Sequence, residues 1–146
     1  MFNYAAFCKA LNVYFVNFNI IKLLYNQQSI SKQNLNNNTC IVEQEIFKLF
    51  MNQIPSLKSL SLWKFPWINI LTNYPKAKYC LKNLSELHCN SNVHSDLFYQ
   101  LSQICHNLLS FFIELDDDIT SDGLIEFISV QKKLRYLLVL AHCCFL

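Results

Sequence analysis

The sequence of 146 residues contains one glycine, Gly123, and three prolines. Sandwiches and barrels with many tight turns normally use more of both, because these residues supply the backbone angles that turns need. A single glycine also excludes a glycine-rich loop of the kind that binds nucleotide phosphates. The scarcity of turn residues therefore favours stacked strand–helix units or an all-helical fold, in a chain of single-domain length.

Charge is scarce as well, since charged residues make up 15% of the chain and the net charge is +2. Such a weak field gives no electrostatic basis for nucleic-acid binding, so we expect no nucleic-acid partner. No run of about 20 apolar residues predicts a membrane span. The amino terminus lacks a charged n-region and a small-residue cleavage site, so we predict no secretory leader, and we do not expect a membrane partner.

The seven cysteines are odd in number and include no C-x-x-C pair. Without a leader, this pattern favours reduced thiols in an intracellular, cytoplasmic or nuclear, protein. Pairs such as His88-Cys89 and Cys105-His106 lack the paired spacing of a structural zinc site, so we expect no metal and no cofactor. Sequence neighbours such as Cys105 and His106 do not face each other on a helix, so we predict no catalytic pair and no enzyme.

What the sequence does contain is a repeated apolar phrase, L-x-x-L-x-L. It begins at Leu57, and related phrases begin at Leu84, Leu108 and Leu134, so the starts lie 27, 24 and 26 residues apart. A period of about 20–29 residues built on this phrase is typical of leucine-rich repeats, in which each phrase is a strand and a helix returns the chain. We therefore predict an α/β fold: a short leucine-rich-repeat arc with parallel inner strands and outer helices, preceded by a helical amino-terminal segment.

The composition divides the chain into an amino-terminal part, residues 1–39, and a repeat-like part, residues 40–146. Aromatic and aliphatic residues in 1–26 predict two short helices that break near Asn12. The polar residues 27–39 predict a loop.

Several residues predict the ends of helices in the repeat-like part. Thr39 can cap a helix that Pro55 ends, because proline cannot continue the hydrogen-bond ladder. Ser95 can cap a later helix, and Ser121 or Asp122 can cap the one after it.

The residues between and beside the core positions of a repeat strand face solvent and form a concave surface. We predict that this surface binds a protein target whose identity the sequence does not indicate. The predicted binding residues are Lys58, Ser59, Ser61, Ser85, Glu86, His88, Ser110, Arg135 and Tyr136.

Two stretches resemble the cysteine-containing subtype of leucine-rich repeat. Residues 89–108 contain C-x-x-x-V followed by L-x-x-x-L-x-x-x-C-H-N-L, and residues 119–124, I-T-S-D-G-L, are close to the I-T-D-x-G-L phrase of that subtype. Residues 2–9, 45–54 and 84–89 look like an expanded family of fungal F-box proteins with degenerate leucine-rich repeats.

In that family an amino-terminal F-box binds the cullin-ligase adaptor, and the repeats recruit a protein for ubiquitination. The resemblance implies a protein–protein recognition module similar to the substrate-binding repeats of a ubiquitin-ligase subunit, with no catalysis of its own. No F-box is recognisable in this chain, so the adaptor is an expected partner only if an F-box is supplied upstream.

Two alternatives stay open. The chain is a truncated fragment, or a structural helical or repeat domain without a partner; or it is prenylated and membrane-associated, since its ending from Cys143, C-C-F-L, fits the C-a-a-X motif. The apolar residues 137–140 and Phe145 form a repeat end without a polar cap. We therefore expect marginal stability or aggregation of the isolated chain.

Overall fold

The computed structural model describes residues 4–26, 32–62, 72–115 and 121–141. Within these ranges the chain forms one five-stranded sheet and five α-helices, besides a 3-10 helix at Tyr4–Phe7. The strands are β1 (Ala10–Asn12), β2 (Ser59–Ser61), β3 (Glu86–Asn90), β4 (Ser110–Leu115) and β5 (Tyr136–Ala141). The helices are α1 (Val13–Tyr25), α2 (Lys32–Gln53), α3 (Ala77–Leu81), α4 (Ser95–Ile104) and α5 (Asp122–Ser129).

Every strand of the sheet is parallel to its neighbours, and the spatial order β1-β2-β3-β4-β5 follows the chain. Parallel neighbours need a crossover connection, and right-handed crossovers between consecutive strands bring the connecting helices to one face of the sheet. The predicted α/β class, with parallel strands and helices between them, is confirmed.

The repeated apolar phrases become strands β2 to β5, as predicted. One row of side chains crosses the sheet in register, from Leu11 through Leu60, Leu87 and Phe111 to Leu137. The first four are buried, at 5% exposure or less. Because alternate side chains of a strand point to opposite faces, this row and the helices enclose one hydrophobic core.

The last two helices pack against the core through apolar side chains. Leu97, Phe98 and Leu101 of α4 are buried, as are Leu124 and Phe127 of α5. The ring centroids of Phe98 and Phe127 lie 5.9 Å apart. The two helices therefore share an aromatic contact that joins consecutive units.

The predicted caps are correct for one of these helices and wrong for the other. Ser121 caps α5, and its side chain accepts a backbone N–H of the first turn. Ser95 is instead the first residue of α4, which His94 caps by accepting the N–H of Asp96. The Ser95 hydroxyl accepts the N–H of Gly123, so a contact between helices takes the place of a cap.

The prediction of two short amino-terminal helices is wrong for Ala10–Asn12, which form β1 and pair with β2. Asn12 does mark a boundary, because its side-chain oxygen accepts the N–H of Phe15 and caps α1. Three residues are too few for a period of two to be recognised. Their strand conformation depends on pairing with a segment far along the chain.

The predicted loop is also wrong for residues 32–39, because α2 begins at Lys32; residues 27–31 lie outside the described ranges. Helix α1 packs along α2, and the side-chain amide of Asn17 donates to the buried carboxylate of Glu43. Burial raises the pKa of Glu43. The packing of α1 against α2 thus supports a helix that begins in an asparagine-rich stretch, whose intrinsic helix preference is weak.

The cap predicted at Thr39 consequently lies inside α2, where this residue is buried. The end of the helix is predicted correctly, since α2 stops at Gln53 and Pro55 follows. Proline lacks the N–H that a further turn would need.

Two predictions bear on membranes. Across the described ranges, no helix is long and apolar enough to cross a bilayer. The C-a-a-X ending from Cys143 lies outside those ranges, so prenylation there stays a prediction.

Candidate functional site

The face of the sheet opposite the helices, termed the open face, carries the side chains that alternate with the core positions. Register aligns them in rows across the strands. The first row consists of Ala10, Ser59, Glu86, Ser110 and Tyr136. The second row consists of Asn12, Ser61, His88, Phe112 and Leu138. These side chains do not fill the core, so they can contact a partner.

The structure brings six of the nine predicted binding residues together on the open face. They are Ser59, Ser61, Glu86, His88, Ser110 and Tyr136. The other three, Lys58, Ser85 and Arg135, immediately precede strands and lie at the edge of this face. Their main contribution to the sheet comes from the backbone.

The residues that precede the strands join consecutive units by one hydrogen-bond pattern. The Lys9 carbonyl accepts two consecutive N–H groups at the start of β2, and the carbonyls of Lys58, Ser85 and Leu109 do the same for β3, β4 and β5. All eight N···O distances are 2.7–3.0 Å. Each unit is therefore set onto the preceding one by the same backbone geometry.

The middle of the open face holds a hydrogen-bonded network centred on Glu86. Its Oε1 lies 2.6 Å from His88 Nε2 and accepts a hydrogen bond from Ser59 Oγ at 3.3 Å. Glu86 and His88 are two residues apart in β3 and so share a face, while the register sets Ser59 beside Glu86. The His88 and Glu86 side chains are 30% and 45% exposed, which leaves both within reach of a partner.

An aromatic ring extends this network towards β5. His88 stacks on Phe112 of β4, with ring centroids 4.4 Å apart and an interplanar angle of 16°. The second row then continues to Leu138, which is 45% exposed. The second row thus changes from polar at β1 and β2 to apolar at β4 and β5, a combination that suits protein recognition.

The sequence prediction omits four residues of these two rows: Phe112, Leu138, Ala10 and Asn12. Phe112 and Leu138 are apolar, whereas the predicted binding residues are polar residues and Tyr136. The alternation of β4 is the signal that identifies Phe112, because it lies two residues after Ser110. Ala10 and Asn12 are omitted because β1 is not predicted.

A shallow cavity of about 400 Å³ lies beside the network, on the β1–β2 side. It is lined by Ala10, Leu11, Asn12, Ser59, Ser61 and His88. The lining side chains from β1 and β2 are mostly small and polar. The cavity is open to solvent and suits a single side chain of a partner better than an enclosed small molecule.

The order of groups in the network differs from that of a nucleophilic triad. In a triad the histidine lies between the hydroxyl and the acid, so that it can take the hydroxyl proton. Here the carboxylate of Glu86 lies between Ser59 and His88. This trio can exchange hydrogen bonds with a partner, but it does not activate Ser59.

The buried cysteines belong to the hydrophobic core. These two thiols and that of Cys80 are fully buried. Burial raises the pKa of Cys80 to about 11 and that of Cys105 to about 12, because a thiolate there would lose its hydration. A protonated, buried thiol is a poor nucleophile and metal ligand. In the described part of the chain, no cluster of three His, Cys, Asp or Glu side chains could hold a metal ion.

Comparison with known proteins does not place the chain in a family. No protein-family model matches it, and neither a curated protein nor a solved structure is significantly similar to it. The likeness to F-box proteins with leucine-rich repeats therefore stays an expectation that depends on the motifs alone.

Proposed function

We propose that this chain is a protein-recognition module: a short leucine-rich-repeat arc that presents its open face to a protein target and performs no catalysis. The identical backbone hydrogen bonds between units and the sequential parallel sheet support the repeat arrangement. Following the motif resemblance, the target would be a substrate of an F-box ubiquitin ligase. The cullin-ligase adaptor would then bind only through an F-box supplied upstream.

The observation that carries this proposal is the linked set Ser59, Glu86, His88 and Phe112. Hydrogen bonds and ring stacking hold these side chains, which come from three neighbouring strands, in defined positions. Side chains that are already ordered lose less conformational entropy on binding, so more of the contact energy appears as affinity. Aromatic residues such as Phe112 are enriched in the cores of protein interfaces.

The same set suggests what the target presents. Glu86 can accept a hydrogen bond from a lysine, an arginine or a backbone N–H, and the charge makes such a bond stronger than a neutral one. Phe112 and Leu138 can pack against an apolar side chain. A segment with a donor and an apolar residue at matching spacing would satisfy both ends of the network.

The test compares partner capture by the wild-type chain, His88→Ala and Phe112→Ala. Removing a central aromatic ring typically costs about 2 kcal/mol of binding free energy, so we expect capture to weaken by more than about tenfold. Tyr99→Ala is the matched control, because Tyr99 is an aromatic residue of α4 that is 42% exposed and lies on the helix side.

A protein that is captured by wild type and by Tyr99→Ala, but lost with Phe112→Ala, supports the proposal. Equal capture by all variants would show that the open face does not bind. If no protein depends on this face, a structural domain without a partner becomes the better explanation. Circular dichroism of each variant shows that the fold is retained.

A further inference from the structure

The last strand, β5, differs from the other four because none of its residues is buried. Residues 137–140 are each 45–50% exposed, and Tyr136 is 67% exposed. Leu137 and Val139 occupy the core-facing positions that Phe111 and Ile113 fill in β4, so apolar side chains are exposed there on both faces of the sheet.

The backbone of β5 is open on one side as well. Within the described ranges, β5 has a neighbouring strand, β4, on one side only. The Tyr136 N–H donates to Leu109 and therefore points towards β4. Backbone groups alternate between the two sides of a strand, so Leu137, Val139 and Ala141 direct their N–H and C=O groups away from β4.

This edge lacks the features that usually prevent pairing. Natural edge strands carry charges, prolines or bulges, or are very short. The sequence of β5, Y-L-L-V-L-A, has no charge and no proline. Its six residues stay in uninterrupted register with β4, so no bulge interrupts the edge.

We propose that β5 is a self-association site, at which two copies of this chain pair their β5 strands in antiparallel orientation. A twofold axis beside Val139 sets this residue opposite its own copy and Leu137 opposite Ala141 of the partner subunit. The outward N–H and C=O groups of both strands then meet. Such a contact closes after two copies, and it joins the two open faces into one continuous surface.

Strand β5 of a second copy is a better partner for β5 than strand β1, the other edge of the sheet. Strand β1, at the opposite end of the sheet, has three residues, so head-to-tail pairing would leave half of β5 uncovered. Self-pairing about Val139 matches residues 137–141 with the same five residues of the second copy. The side chains of β5 expose several hundred Å² over the two faces, an area comparable with the largest apolar patch of a typical monomer. Two copies would bury on the order of 1,000 Å², the lower limit for a specific interface.

Sedimentation equilibrium of the full chain tests this over concentrations of about 1–100 μM, the range that a small interface requires. We expect a reversible monomer–dimer equilibrium for wild type. Val139→Lys sets like charges opposite each other, and Val139→Pro removes an outward N–H while sparing the bonds to β4. Each should weaken the dimer by more than about tenfold. Ile125→Lys, on α5 at a site that is 60% exposed, should leave it unchanged.

A short bismaleimide provides a second measurement that does not depend on destabilising the strand. It should join two copies of Val139→Cys through the introduced thiols, identified by peptide mass, and should not do so for Ile125→Cys. The proposal is overturned if wild type is monomeric throughout the range, or if it forms open-ended oligomers. It is also overturned if both Val139 variants fold and dimerise like wild type, or if the two cysteine variants cross-link equally.

Discussion

At the scale of single residues, Gly123 shows how closely consecutive units approach. Its N–H donates to Ser95 Oγ at 3.1 Å, where the start of α5 meets the start of α4. A Cβ at this position would lie 2.6 Å from Ser95 Oγ and would overlap the Ser95 carbonyl oxygen. The position therefore requires the absence of a side chain.

We expect Gly123→Ala to lower the free energy of unfolding by about 1–3 kcal/mol, the usual cost of adding an atom to a closely packed contact. This loss should exceed the gain of up to about 1 kcal/mol that alanine gives a helix. Urea unfolding measures the change. Glu126→Ala, at an exposed site of the same helix, should stay within about 0.5 kcal/mol of wild type. A Gly123→Ala chain as stable as wild type would contradict the close approach.

At the scale of elements, the side chain of Gln131 joins α5 to the segment between α4 and β4. Its Nε2 donates to the carbonyls of Cys105 at 2.7 Å and Phe127 at 3.0 Å. Its Oε1 accepts the N–H of Leu108 at 3.1 Å. This one side-chain amide therefore forms hydrogen bonds with three backbone groups, which come from two separate segments of the chain.

Replacing this amide tests its contribution. We expect Gln131→Ala to destabilise the fold by about 2–3 kcal/mol, because partly buried backbone groups lose their partners. Gln131→Glu keeps the acceptor for Leu108 but loses the donor to the Cys105 and Phe127 carbonyls, so this variant should also be less stable than wild type. Gln103→Ala, at an exposed position of α4, is the control and should change stability by about 0.5 kcal/mol or less. Thermal melts that show no difference between the Gln131→Ala and Gln103→Ala chains would contradict this assignment.

The elements also show which sequence signals are reliable. Strands β2 to β5 are predicted correctly because their apolar residues recur in one phrase, and the burial of Leu60, Leu87 and Phe111 agrees with that pattern. Strand β1 and the first turns of α2 are not predicted. Strand β1 pairs with β2 and helix α2 packs against α1, and neither of these long-range contacts leaves a local signal.

At the scale of the whole molecule, one hydrophobic core connects the units. It contains three buried cysteines, whose accessibility can be used to follow unfolding of the core. Cys80, Cys89 and Cys105 belong to α3, β3 and the end of α4, and all three are fully buried. Burial raises the pKa of each thiol above its ordinary value. Cys8 and Cys40 are partly exposed.

We expect alkylation at pH 8 to label Cys8 and Cys40 in the native chain, and to label the three buried thiols only as it unfolds. Because the thiols share one core, their labelling should rise at a single urea concentration that coincides with loss of the helical circular dichroism signal. Peptide mass spectrometry after pulse labelling gives each midpoint. Separate midpoints would mean that the units unfold independently, as long repeat arrays can.

The sequence alone determined where β2 to β5 lie and which face of β2, β3 and β4 enters the core, because both follow from local periods of apolar residues. Tertiary structure alone decided that Ser59, Glu86, His88 and Phe112 meet, since their contacts depend on the register between distant segments. Tertiary structure also decided that the apolar side chains of β5 are exposed. Leu137 resembles the core leucines in sequence, yet it is exposed, because burial depends on which elements pack against a residue as well as on its own hydrophobicity.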